Sequence, residues 1–183
     1  MAKFPSLGDA GNVVAILKLN PEVGAPLIAM HEALLRGPSP LSVAERELIA
    51  AYVSGLNRCR YCFGMHASAA AALGYDMAVL RRIVDDPTLD GIEAKMQPIL
   101  TYARKLTEAP DSVSEADAAA VYAAGWTERA LHDAIMVTAT FNFMNRVLEG
   151  HGAHGSEAMF AERGPMIAKH GYAPLIAMIA PKG

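Results

Sequence analysis

Cysteine is scarce in this chain: Cys59 and Cys62 are the only two among 183 residues. Such a pair is no disulfide framework, and in a reducing compartment it points to redox or metal chemistry. Charge of one sign is also missing. Sixteen Lys and Arg against nineteen Asp and Glu, scattered rather than blocked, leave no basic patch for nucleic acid or an anionic membrane. No run approaches the roughly eighteen apolar residues of a membrane span. The opening MAKFPSLGDAGN lacks a hydrophobic signal core, so a cytoplasmic location is expected. No run rich in Val, Ile and Thr alternates with period two between turn signals, which excludes a sheet. What remains is 52 % apolar and 19 % charged, the composition of a globular chain rather than a disordered one. Its length suits one domain, 1–183, and the expected class is all-α.

Breaks and caps divide the chain into helices. After a lead to Asn20, whose only regular piece is Val13–Leu19, a helix is expected over Pro21–Arg36, with Leu27, Met30, Leu34 and Leu35 as its apolar stripe. Gly37-Pro38-Ser39-Pro40 ends it. Asp76 caps a short helix to Val84. Another helix covers Ile92–Thr107, either kinked at Pro98 or starting close to it. Ser114–Ala124 follows, and Thr127 caps the longest apolar helix, about 128–149. A break at Gly150–Gly155 precedes a helical tail, Glu157–Met178, expected to be interrupted at Gly164-Pro165 and at Gly171.

The chemistry concentrates in residues 41–74. Ser42 and Glu45 form a capping-box pattern that opens one helix, and Asn57 is placed as the N-cap of a second that Gly74 ends. At ~100° per residue, Cys59, Cys62 and His66 fall within roughly 60° on one helix face. Glu47 on the first helix lies beside Ala50, Ala51 and Ser54, and Ala67 and Ala69–Ala72 line the second. Small facing residues let two helices close enough to bring a carboxylate to the Cys/His face.

Three readings of that cluster are open. The cysteines can be buried hydrophobes, or Cys59, Cys62, His66 and Glu47 can be four metal ligands, although the second ligand pair of ordinary structural zinc modules is absent. The third reading is redox: a helix start and a nearby imidazolium favour thiolate, so a thiol here is expected to titrate below its free value of ~8.5. Elsewhere, His151 and His154 fit a surface loop, His132-Asp133 fits a polar face or subunit contact, and His31 and His170 carry no signal.

Glu47, eleven residues, then Cys59-x-x-Cys62-x-x-x-His66 resembles the signature of the alkylhydroperoxidase D-like (AhpD-like) proteins of the carboxymuconolactone decarboxylase superfamily. Leu41-Ser42, Glu45-Arg46-Glu47, Val53-Ser54, Asn57-x-Cys59-x-Tyr61-Cys62 and the later Asn142–Arg146 resemble the branch called peroxidase-related. The resemblance implies an all-helical bundle with a catalytic helix hairpin, assembled as a homo-oligomer, hexamer or trimer. It implies a peroxidase in which Cys62 attacks a hydroperoxide, Cys59 resolves the sulfenic acid, and His66 and Glu47 relay protons. A thiol or lipoyl-type reductant would reset the disulfide, with no cofactor. The chain departs at Tyr61, where some members carry a histidine. Decarboxylating members lack the cysteine pair, which argues against lactone decarboxylation. A non-enzymatic thiol sensor or metal-binding module on the same four residues is the alternative.

The residues themselves also separate the two thiols. Cys59 is nearer the helix start, an effect of about 0.3–1 kcal/mol. His66 stands i+4 from Cys62, and a positioned base contributes ~10²–10⁴ in rate, or roughly 3–5 kcal/mol. The base outweighs the dipole and nominates Cys62.

Overall fold

The structure, a computed structural model, describes residues 3–181, so Met1 and Ala2 of the expected lead lie outside it. Among the described residues there are helices and no strand. A 3-10 turn at Pro5–Ala10 precedes α1 (Val13–Leu17) and α2 (Pro21–Arg36). The hairpin follows as α3 (Val43–Leu56) and α4 (Arg60–Ala72). Then come α5 (Met77–Arg82), α6 (Gln97–Glu108), α7 (Glu115–Ala123), α8 (Glu128–His151), α9 (Glu157–His170) and α10 (Ala173–Ile179).

Helix α3 is the centre. Its stretch Arg46–Ser54 is buried throughout, so neighbours cover all its sides. Its largest interface is with α4; α8 and α6 cover other faces. The Ser42–Glu45 capping box is formed in both directions, at 3.2 and 2.6 Å. Gly74, at φ +114°, takes the left-handed position that ends α4.

Three expectations change, and the choice left open at Pro98 is decided. Asn57 does not cap α4; Cys59 occupies that position, and Arg58 turns the chain at φ +54°. The reason is a stronger use of the Asn57 amide, which reaches Asn142 and Asn145 on α8. Pro98 lies in the first turn of α6, where a missing N–H costs nothing, so it starts that helix rather than kinking it. Gly164-Pro165 does not interrupt α9, which runs unbroken to His170. A residue without Cβ before proline avoids the usual clash, and a Cβ there would sit 2.3 Å from Ser68 Cβ and 2.8 Å from its backbone carbon. The glycine thus serves the close approach of α9 to α4. The inward face of α2 is Gly24, Ile28, His31 and Leu35, with Leu27, Met30 and Leu34 only half-buried beside it. The stripe turns because α2 packs between α10 and the α3/α8 pair rather than against one partner.

Candidate active site

Glu47 lies in the middle of α3 with none of its surface exposed. A buried carboxylate requires partners, because desolvation costs several kcal/mol (~3–5 when one partner of a pair is removed). Three are present. His66 Nδ1 on α4 is 2.7 Å from Oε2. Arg36 Nη2, from the last turn of α2, donates to Oε1 at 2.7 Å. The Tyr172 hydroxyl, at the start of α10, donates to Oε1 at 2.8 Å and lies 3.2 Å from His66 Nδ1. Arg36 Nη2 also donates to the Ile167 carbonyl at 3.0 Å, and the guanidinium lies over the Tyr172 ring at 5.0 Å.

Burial by itself would raise the Glu47 carboxyl; His66, through its charge when it is protonated and through its hydrogen bond, then Arg36 and Tyr172, outweigh it and hold the group below the usual range. Burial first, and the Glu47 charge second, push the Tyr172 hydroxyl well above its ordinary value, so it remains a donor. An ionised carboxylate only accepts. The proton of the 2.7 Å contact therefore sits on His66 Nδ1, which leaves Nε2 as the working nitrogen. The His66 ring is held edge-on by Phe141 at 4.4 Å.

The two thiols are buried in an apolar cluster with Tyr61, Met65, Met144 and Phe160. Cys59 donates its backbone N–H to Ser54 O at 2.9 Å across the hairpin turn. The Cys62 thiol is pushed well above the ordinary range, first by its hydrogen bond to Cys59 and then by burial, while the Asn145 amide opposes the rise. The expected lowering of the thiol is thus reversed for Cys62. A helix start is worth about 0.3–1 kcal/mol, too little against desolvation of a thiolate. Asn145 belongs to a buried amide chain: its Nδ2 donates to Ser54 Oγ at 3.0 Å, and its Oδ1 accepts from Asn57 Nδ2 at 2.9 Å.

Cys62 and His66 line one cavity of about 520 Å³, walled by Ile28, Phe141, Met144 and Leu175. Cys59 borders a different one, of about 510 Å³, beside Arg58, Phe63 and Phe160. Tyr61, between the cysteines, accepts from the Val13 N–H at 3.3 Å and meets Phe160 edge-on, so it ties α4 to α1. Among the described residues no three of His, Cys, Asp and Glu converge as metal ligands, so the four-ligand reading finds no geometric support. Asp133 is engaged within the chain, accepting from Ser39 Oγ at 2.6 Å and Arg129 Nε at 2.8 Å. His151 stacks on Phe4 at 4.5 Å.

The hairpin brings Glu47 and His66 together as expected and leaves Cys62 one turn, and Cys59 two turns, before His66. Arg36, Tyr172 and Asn145 were missed. Arg36 and Tyr172 carry no local motif, whereas an asparagine amid the apolar residues of α8 is a signal in itself.

The fold and site define an all-helical dithiol protein with a carboxylate–imidazole pair at the thiols. Residues 21–84 match the carboxymuconolactone decarboxylase family. The crystal structure of an uncharacterized peroxidase-related protein from Silicibacter sp. TM1040 superposes with a TM-score of 0.76 at 31 % identity, over 84 % of this chain and 80 % of that one. An uncharacterized peroxidase-related protein from Ralstonia eutropha JMP134, described as an alkylhydroperoxidase AhpD core, superposes with a TM-score of 0.73 at 26 % identity, over 80 % and 77 %. A comparison with the curated proteins finds no match. The chain belongs to the AhpD-like proteins of the carboxymuconolactone decarboxylase superfamily.

Proposed function

We propose that this protein is a thiol-dependent peroxidase of the alkylhydroperoxidase type. The observation that carries the reading is the buried Glu47–His66 contact of 2.7 Å, which frees His66 Nε2 on the wall of the cavity that Cys62 also lines. His66 takes the Cys62 proton, directly or through a water. The thiolate attacks the terminal oxygen of R–O–OH; the O–O bond breaks, Cys62 becomes a sulfenic acid, and the alkoxide takes the proton back from His66 and leaves as R–OH. Cys59 then attacks the sulfenic sulfur, water leaves, and a Cys59–Cys62 disulfide forms. A dithiol donor reduces that disulfide by two exchange steps and is itself oxidised. A thiol raised by its hydrogen bond to Cys59 and by burial is slow to ionise on its own, so the relay supplies the acceptor for its proton.

Turnover with a panel of hydroperoxides and dithiol donors, lipoyl and thioredoxin-like included, tests this. Consumption that saturates with hydroperoxide and requires a donor is expected. Stoichiometric disulfide formation without turnover would favour the second reading, a dithiol sensor.

A further inference from the structure

The cavity over Cys62 holds a second imidazole. His31, on the inward face of α2, is 3 % exposed and lines the same space as Cys62 and His66. Both imidazoles pack on the same two rings: His31 lies 5.7 Å from Phe141 and 6.1 Å from Tyr172, His66 4.4 Å and 6.2 Å. The His31 Nδ1 is 2.7 Å from the Leu27 carbonyl, which can only accept, so the proton sits on Nδ1. Nε2 then carries a lone pair and has no protein partner among the described residues. Burial holds the ring far below the ordinary histidine value, at about 4, so this tautomer is neutral in use. Nε2 is open to the cavity rather than sealed in protein, so a donor on a molecule held there can reach it. Most of the remaining wall is apolar and rich in methionine, with Met65, Met144, Met166 and Met178, while Asn12 and the exposed Glu162, Arg163 and His170 add polar groups to the lining. The methionines adapt to bulky apolar groups and offer them no hydrogen bond.

We propose that His31 Nε2 is the acceptor for the O–H of a bulky apolar organic hydroperoxide. It holds the terminal oxygen toward Cys62 while the hydrocarbon group lies against the methionines. His31 then touches substrate directly, and His66 serves the thiol. This assignment rests on the peroxidase reading for its chemistry, but its binding claim stands apart from turnover.

The test uses two molecules of one shape on the reduced full-length protein: 2-phenylpropan-2-ol, the alcohol left by cumene hydroperoxide, and tert-butylbenzene, in which methyl replaces the hydroxyl. Affinities for both are measured for wild type and His31→Phe, and the imidazole ¹⁵N signals of wild type are followed during each titration. The ratio of alcohol to hydrocarbon affinity should fall by about three- to tenfold in His31→Phe, the range of one hydrogen bond. The wild-type His31 Nε2 signal should move with the alcohol and stay in place with the hydrocarbon. An unchanged ratio, an Nε2 signal unmoved at saturating alcohol, or no binding of either molecule overturns the assignment. Should His31→Phe fail to fold, the wild-type Nε2 signal decides alone. A protein that binds the alcohol through His31 yet consumes no hydroperoxide would sink the peroxidase reading and leave this one standing.

Discussion

At the scale of single residues, the site sets two nearly equivalent sulfurs apart by what lies beside each. Cys62 shares its cavity with His66, whereas Cys59 borders a different one. Cys62→Ser is therefore expected to abolish hydroperoxide consumption and sulfenic-acid trapping, while Cys59→Ser forms one trappable sulfenic acid per chain and stops. Dimedone labelling followed by mass spectrometry reads this, and the opposite pattern would mean that the thiols have exchanged roles. A second prediction concerns acid. His31 ordinarily titrates at 6.5 and is lowered by burial to about 4, so between these values only the unfolded chain binds its proton. Stability from this group is full above pH 6.5 and falls as pH drops toward 4, by about 3 kcal/mol at ~1.4 kcal/mol per pKa unit. Glu47 acts lower: against burial, which alone would raise it, His66 and Arg36 depress its carboxyl below 4.5, so its contribution persists above 4.5 and is lost as pH falls through the lower folded value. Urea midpoints measured from pH 8 to 3 should show the upper step in wild type and a flattened one in His31→Phe. If that variant keeps the full slope between 6.5 and 4, another group is responsible.

At the scale of elements, two helices, α4 and α9, meet at contacts that tolerate no added carbon. A Cβ on Gly164 would meet the backbone of α4 at 2.8 and 2.9 Å, and one on Gly64 would meet the Phe160 ring of α9 at 2.4 Å. The ring can rotate or shift; the backbone cannot move without the whole helix. Gly164→Ala is therefore expected to cost about 2 kcal/mol or more, in the upper part of the overpacking range, and more than Gly64→Ala. Chemical denaturation compares the pair directly, and equal losses would mean that α9 slides freely. The end of the same helix feeds the site, since Ile167 O accepts from Arg36, so Gly164→Ala should also disturb the Glu47 cluster.

At the scale of the whole molecule, several large apolar side chains stay outside the core. Phe143 on α8 is 48 % exposed, and Met166 and Met178 are 56 % and 55 % exposed at the cavity mouth. Self-association, a hexamer ahead of a trimer, is expected to cover part of this surface. Light scattering at micromolar concentration checks it, and Phe143→Glu should shift the mass downward while helicity is kept. A stable monomer in wild type would remove the expectation. No helix among the described residues is long and apolar enough to cross a membrane.

The helix hairpin and the Glu47–His66 pairing were legible in the residues because both follow from short-range geometry. Spacings of three and four fix a helix face, Ser42 and Glu45 fix where α3 begins, and small side chains at Ala50, Ala51 and Ala67 fix how near α4 can come. The same local reasoning went astray where one residue had a distant use that outweighed its nearby one, as with the amide of Asn57 and the bare backbone of Gly164. Tertiary structure alone decided the rest. Arg36 and Tyr172 converge on Glu47 from 11 positions before it and 125 after, and His31 enters the cavity from a third element. No local period encodes such convergence. The state of the Cys62 thiol was likewise settled only by the fold: its hydrogen bond to the nearby Cys59 raises it first, and the burial that adds to that depends on every element packed around the sulfur.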